Sequence, residues 1–138
     1  MGKSSVEVVG LATITIGNML LVTTKQTTEP EVSRVYPCVI WKYKESKCHV
    51  ATCASIGLQM TGLDEMDATV ALADALENLA LDNDFDFDLI AYECPPNDVA
   101  RNAYIRERMR FTPKKFCRYR AIWPPPRDYF YNLFSDSA

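Results

Sequence analysis

Residues 6–24 read VEVVGLATITIGNMLLVTT, and their reading decides whether the chain opens on strands or on an apolar helix. β-branched residues dominate, and Gly10 and Gly17-Asn18 interrupt them. That composition suits a pleated, half-buried surface. It is not the unbroken apolar run of about 20 residues that a membrane helix needs. Gly17-Asn18 can adopt the positive φ angles of a two-residue hairpin loop. The stretch therefore predicts two short strands, residues 6–16 and 19–24, joined at that pair.

Working outward, residues 26–33 (QTTEPEVS) are polar, carry Pro30 and read as a loop. Residues 35–43 (VYPCVIWKY) read as a third strand, with Pro37 at its start or on a sheet edge. KESK at 44–47 is a turn. Residues 49–60 are apolar without a clear period, which fits a further strand or the approach to a helix. Thr61-Gly62-Leu63 is a turn, and the acidic cluster at 64–67 supplies an N-cap and first-turn acids. Val70, Leu72, Leu76, Leu79 and Leu81 then recur near helical spacing. Residues 85–94 read as a buried strand ended by Pro95-Pro96. Asn97 or Asp98 can cap a second helix to about Arg110, and residues 115–123 (KFCRYRAIW) alternate as a last strand.

The expected fold is α/β: a three-stranded antiparallel meander followed by helix-strand-helix, with the later strand added in parallel beside the first. Residues 1–123 form a single α/β domain, and 124–138 a proline-led aromatic C-terminal arm. A chain of 138 residues buries a sizeable core without disulfide or metal staples. With 48% hydrophobic and 24% charged residues, its composition is that of a globular protein. Five cysteines, an odd number with no export-like segment, predict reduced thiols and a cytoplasmic or nuclear, non-secreted setting.

The net charge of −3 conceals a segregation. Residues 64–98 hold eleven acids and no lysine or arginine, whereas 101–127 hold nine basic residues and one acid, Glu107. Such asymmetry points to an acidic or nucleic-acid partner, or to two segments that pack together and neutralise each other.

The acidic ladder can be read as a metal loop. Asp82, Asp84 and Asp86 have the 1-3-5 spacing of a calcium loop, with Glu93 at the closing position. Phe87, however, occupies the place where the sharp turn calls for glycine, and Pro95-Pro96 interrupts the exiting helix. The aspartates fit better as a solvated connection into the strand at 85–94, with Phe85 and Phe87 turned inward.

Glu93 follows DLIAY at the end of that expected strand, where ligand groups gather in open α/β sheets. Two stretches here carry a family resemblance. VEVVGLATITIGNMLLV is similar to the first hairpin of the ribonuclease H-like superfamily. FDLIAYECPPNDVARNAYIRERMRF resembles the fourth strand and following helix of its RuvC-type Holliday-junction resolvases. The resemblance implies a ribonuclease H-like mixed sheet and a relative of structure-selective nucleases. In that family clustered carboxylates hold two divalent metals that activate water for phosphodiester hydrolysis. Glu93 would carry over as a catalytic metal ligand for Mg. The position matching the family's first aspartate is Ala12, so the resemblance implies an incomplete centre and an inactive or inactivated endonuclease-like fold.

Cys48, His49 and Cys53 could contribute to a zinc site, but no paired spacing supports one, and Cys38, Cys94 and Cys117 are scattered. They read as buried thiols behaving like small apolar residues. His49 could also serve a cysteine nucleophile brought near by the fold. Arg101, Arg106, Arg108, Arg110, Lys114, Lys115, Arg118 and Arg120 interleave with Tyr104, Phe111, Phe116 and Tyr119. That mixture suits DNA or RNA, with arginines on phosphates and aromatics on unpaired bases. The alternative is a non-enzymatic assembly or adaptor protein, contacting a protein partner or a second copy through its charged faces. Trp123, Tyr129, Phe130, Tyr131 and Phe134 would then serve as anchors.

Overall fold

A computed structural model describes residues 5–22 and 27–122. The predicted C-terminal arm lies outside the described residues, as do the anchors Trp123, Tyr129, Phe130, Tyr131 and Phe134. The first strand, β1 (Val6–Val22), runs straight through Gly17-Asn18. It pairs antiparallel with β2 (Thr27–Tyr43), from Val6↔Tyr43 to Val22↔Thr27. The expected hairpin at Gly17-Asn18 is therefore wrong, and the expected loop at 26–33 falls largely within β2. Gly17 pairs with Ser33 and Asn18 with Val32, and the ladder shifts register immediately afterwards. The pair is absorbed as a bulge, which needs no positive φ at Asn18; the described non-glycine residues with positive φ are Asp84 and Phe85. Pro30 is tolerated because β2 has a neighbour on its second side only over Cys38–Trp41.

That neighbour is β3 (His49–Cys53), which pairs antiparallel with the short β4 (Gln59–Gly62). The fifth strand, β5 (Lys114–Ile122), lies parallel to β1, giving the order β4-β3-β2-β1-β5. The sheet is thus mixed: a four-stranded antiparallel meander with one parallel strand on the far side of β1.

Between β4 and β5 come three helices. Helix α1 (Glu65–Asp82) starts at Asp64, whose Oδ1 accepts a hydrogen bond from the Asp67 amide at 2.7 Å. Asp67 Oδ2 accepts in return from the Leu63 amide at 2.8 Å, a reciprocal cap. The face it buries is Ala68, Thr69, Leu72, Ala73, Leu76 and Ala80, whereas Leu81 of the expected stripe is exposed. Alanines at three of those positions let the helix sit close to the sheet.

Residues 85–94 are not a strand. Asp84 and Phe85 take left-handed backbone (φ 52° and 58°), and Asp86 Oδ1 accepts from the Leu89 amide at 3.1 Å to cap α2 (Phe87–Glu93). Phe87 and Ile90, one helical turn apart, go inward while Leu89 and Tyr92 face solvent. A strand would have buried alternate residues instead. The parallel partner of β1 is consequently β5, reached through α3 (Asp98–Glu107), which Asn97 caps by accepting from the Ala100 amide at 3.0 Å.

The helices occupy both faces of the sheet. Ala12, Ile14 and Ile16 of β1, Tyr36, Cys38 and Ile40 of β2, and Ala51 and Cys53 of β3 form one buried cluster with α1, Phe87 and Ile90. Burial of each large aliphatic side chain there contributes about 1.5–3 kcal/mol. α3 packs instead on the opposite face, over β2 and β1. Among the described residues no helix is long and apolar enough to cross a membrane.

Candidate binding surfaces

Glu93, the residue expected to bind metal, is the last residue of α2 and is exposed. It does not stand at a strand end, because the strand expected to present it is a short helix. Ala12 is 1% exposed and belongs to the buried cluster beneath α1. Glu65, in the first turn of α1, lies against that part of β1, its carboxylate occupying the space a β-carbon on residue 10 would take. Glu65 Oε1 already meets Lys114 Nζ at 3.3 Å, and Lys114 pairs in register with Ala12. An ammonium thus neutralises the acid at the place where the resemblance calls for cations held by several carboxylates. The described residues there do not fit a two-metal centre. Nor, among the described residues, do three or more His, Cys, Asp or Glu side chains converge to hold a metal ion. Asp82, Asp84 and Asp86 divide between the end of α1, the link and the cap of α2, so they do not form a calcium loop.

The basic segment divides into two sets. β5 lies beside α1, and Lys114 and Arg118 reach across to Glu65 and Asp74, the latter at 3.5 Å. On α3 and the turn after it, Arg101 pairs with Asp98, and Arg106 and Arg110 flank the buried Glu107 at 3.6 and 3.0 Å. Three of the eleven acids at 64–98, namely Glu65, Asp74 and Asp98, are therefore paired with the basic segment, although each such surface pair adds only about 0–1 kcal/mol. Lys115, Arg108 and Arg120 are exposed and have no ion-pair partner among the described residues. Strand alternation puts Lys115, Cys117 and Tyr119 on the sheet face away from α1, and all three are exposed. Their cross-strand neighbours on β1 are Thr13, Thr15 and Gly17. This part of the sheet is an open face carrying one accessible aromatic ring, Tyr119, and one cation without an ion-pair partner among the described residues, Lys115.

Further along the same face, α3 and the sheet enclose a groove of about 350 Å³. Val8, Val39 and Trp41 form its apolar floor, and Val99, Ala100 and Ala103 its helical wall. Trp41 Nε1 donates to Thr52 Oγ1 at 3.0 Å, and Thr52 in turn donates to Gln59 Oε1 at 3.1 Å. The sequence reading missed this groove. The groove rests on the bulge between Val8 and Gly10, seen only in the pairing with β2, which turns Val8 to the α3 side while Gly10 and Ala12 face α1. Glu107, counted from the sequence only as the one acid among nine basic residues, is buried and paired with Arg106 and Arg110.

The fold defines an α/β protein with a mixed five-stranded sheet between helical layers. No protein-family model, curated protein or solved structure matches the chain.

Proposed function

We propose that this chain is a nucleic-acid-binding protein of ribonuclease H-like arrangement, related to structure-selective nucleases and carrying an incomplete metal centre. The observation that carries the reading is the open face of β5, where Lys115 and Tyr119 are exposed together; Arg120, without an ion-pair partner among the described residues, follows on the opposite face. Exposed aromatic rings on a sheet flanked by cations suit an unpaired strand, with bases stacking and phosphates neutralised. The antiparallel meander with a parallel strand beside β1 supports the ribonuclease H-like arrangement. The Glu65–Lys114 pair beside Ala12 supports binding without hydrolysis.

Fluorescence anisotropy with labelled single-stranded, duplex and four-way-junction DNA, and matching RNA, tests the reading across a salt series. Three phosphate contacts predict a log–log salt slope of about −2 on single strands. Replacing Lys115, Arg108 and Arg120 by glutamine should flatten that slope, whereas Arg101→Gln, which removes a cation already paired to Asp98, should leave it nearly unchanged. Equal losses from both variants would contradict the assignment of the unpaired cations as the contact set. Absence of salt-sensitive binding to every form would overturn the proposal.

The groove under α3 favours the second reading, a protein-binding adaptor, because its floor is apolar and its mouth open. Under that reading a changed mass in light scattering on removing residues 128–138 accompanies an absence of nucleic-acid binding.

A further inference from the structure

We infer that Cys38 and Cys53 are a redox-modifiable pair that closes to a cross-strand disulfide between β2 and β3. The two residues stand directly opposite each other in the antiparallel ladder, and both are fully buried as free thiols. The neighbouring pair fixes their class: the Ala54 amide donates to the Pro37 carbonyl at 2.8 Å, and the Cys53 amide points away from β2 to Leu58. Because bonded and non-bonded pairs alternate along such a ladder, Cys38 and Cys53 occupy a non-hydrogen-bonded position. Cα atoms there stand about 4.5 Å apart with the side chains drawn together, inside the roughly 4.4–6.8 Å range a disulfide spans. The bond can form without moving either strand.

Two buried thiols alone would be apolar filler. The surroundings of Cys53 are different. The adjoining Cys38 thiol and, after it, the nearby backbone of Ile56 and Ser55 hold Cys53 below the ordinary thiol range despite burial. The Cys38 thiol, whose sulfur donates to the Tyr36 carbonyl at 3.4 Å, is pushed well above that range by the adjoining Cys53 and by burial. The asymmetry assigns roles: Cys53 attacks and Cys38 resolves. With hydrogen peroxide as oxidant, the Cys53 thiolate attacks one peroxide oxygen, the O–O bond breaks, and a proton completes the departing water, leaving a sulfenic acid on Cys53. Cys38 sulfur then attacks the Cys53 sulfur, the S–O bond breaks, and a second water leaves with the Cys38 proton. Two thiols and one peroxide give one disulfide and two waters.

The test uses the folded full-length chain carrying Cys48→Ser, Cys94→Ser and Cys117→Ser, exposed to hydrogen peroxide. The expected product has lost two hydrogens by intact mass, yields under non-reducing digestion a peptide joining residues 38 and 53 that thiol reductant separates, and melts roughly 10 °C higher than the reduced form. Adding Cys38→Ala should trap Cys53 as a sulfenic acid that a 1,3-diketone probe labels, whereas Cys53→Ala should leave Cys38 unlabelled. Peptide mapping of the unsubstituted chain provides the same readout if those variants fold poorly. Oxidation of the exposed Cys117 in the unsubstituted chain with no 38–53 link would overturn the inference. So would a link that forms only in denaturant, and labelling of Cys38 in place of Cys53 would overturn the assigned roles.

Discussion

Replacing Ala12 with aspartate restores the residue type that the ribonuclease H-like resemblance calls for, and the packing predicts that the fold will resist it. Ala12 is 1% exposed in the cluster shared by β1, β2 and α1. A carboxyl group there overfills a packed core, at about 1–3 kcal/mol. In its ionised form it also loses hydration worth several kcal/mol. Lys114, its register neighbour, is already engaged by Glu65 and offsets only part of this. The expected loss near pH 7 is about 3–5 kcal/mol, a large share of the roughly 5–15 kcal/mol that holds a domain folded. Burial raises the new carboxyl above its unfolded value of about 3.9, so between those two values the folded form binds more protons. Stability therefore falls as pH rises through that window and is flat above it. Urea unfolding of parent and Ala12→Asp at about pH 4 and pH 7 reads both quantities. A loss below about 1 kcal/mol at both pH values would refute the reasoning. It would mean that position 12 is open to water, and the case for a metal centre at β1 would return.

Three further outcomes are expected. Gly62→Ala puts a β-carbon 2.7 Å from the Ala68 Cα and the Asp67 carbonyl carbon, both backbone of α1; a loss of about 1–3 kcal/mol should appear as a melting point lower by several degrees. Thr52→Val keeps shape but strips the acceptor from Trp41 Nε1 and the donor from Gln59 Oε1, so urea unfolding should show a loss of about 1–2 kcal/mol. Burial, followed by the neighbouring Cys53, pushes Tyr36 up to about 12 from 10.0. Its contribution is present below about pH 10 and is lost as pH rises towards about 12. Tyr36→Phe should remove that part of the alkaline decline measured by circular dichroism.

The sequence made some elements legible because the signal was local. Asp64 and Asn97 cap their helices as side-chain chemistry requires, and the alternation of residues 115–122 belongs to a strand parallel to β1. Other elements depended on partners distant in sequence. Gly17-Asn18 serves a turn or a bulge equally well, and only the length of β2 opposite decides. FDLIAYE has the composition of a buried strand; the left-handed Asp84 and Phe85 and the cap at Asp86 make it a helix. At the candidate site, the cations were visible as a class, but which of them are unpaired depends on where α1 lies against β5. The partner of Cys38 was invisible for the same reason.

The parallel pairing of β1 with β5 also sets an order of events during synthesis. Ala12 and Lys114 are about a hundred residues apart, a contact whose loop-closure entropy makes it slow to form. The N-terminal meander can zip as soon as β2 emerges, but one side of β1 then waits, with its amides and carbonyls unpaired, until β5 leaves the ribosome. Through that interval the growing chain exposes a seventeen-residue strand border rich in valine, isoleucine and leucine. The yield of native protein then depends on translation speed and chaperone supply across the second half of the chain.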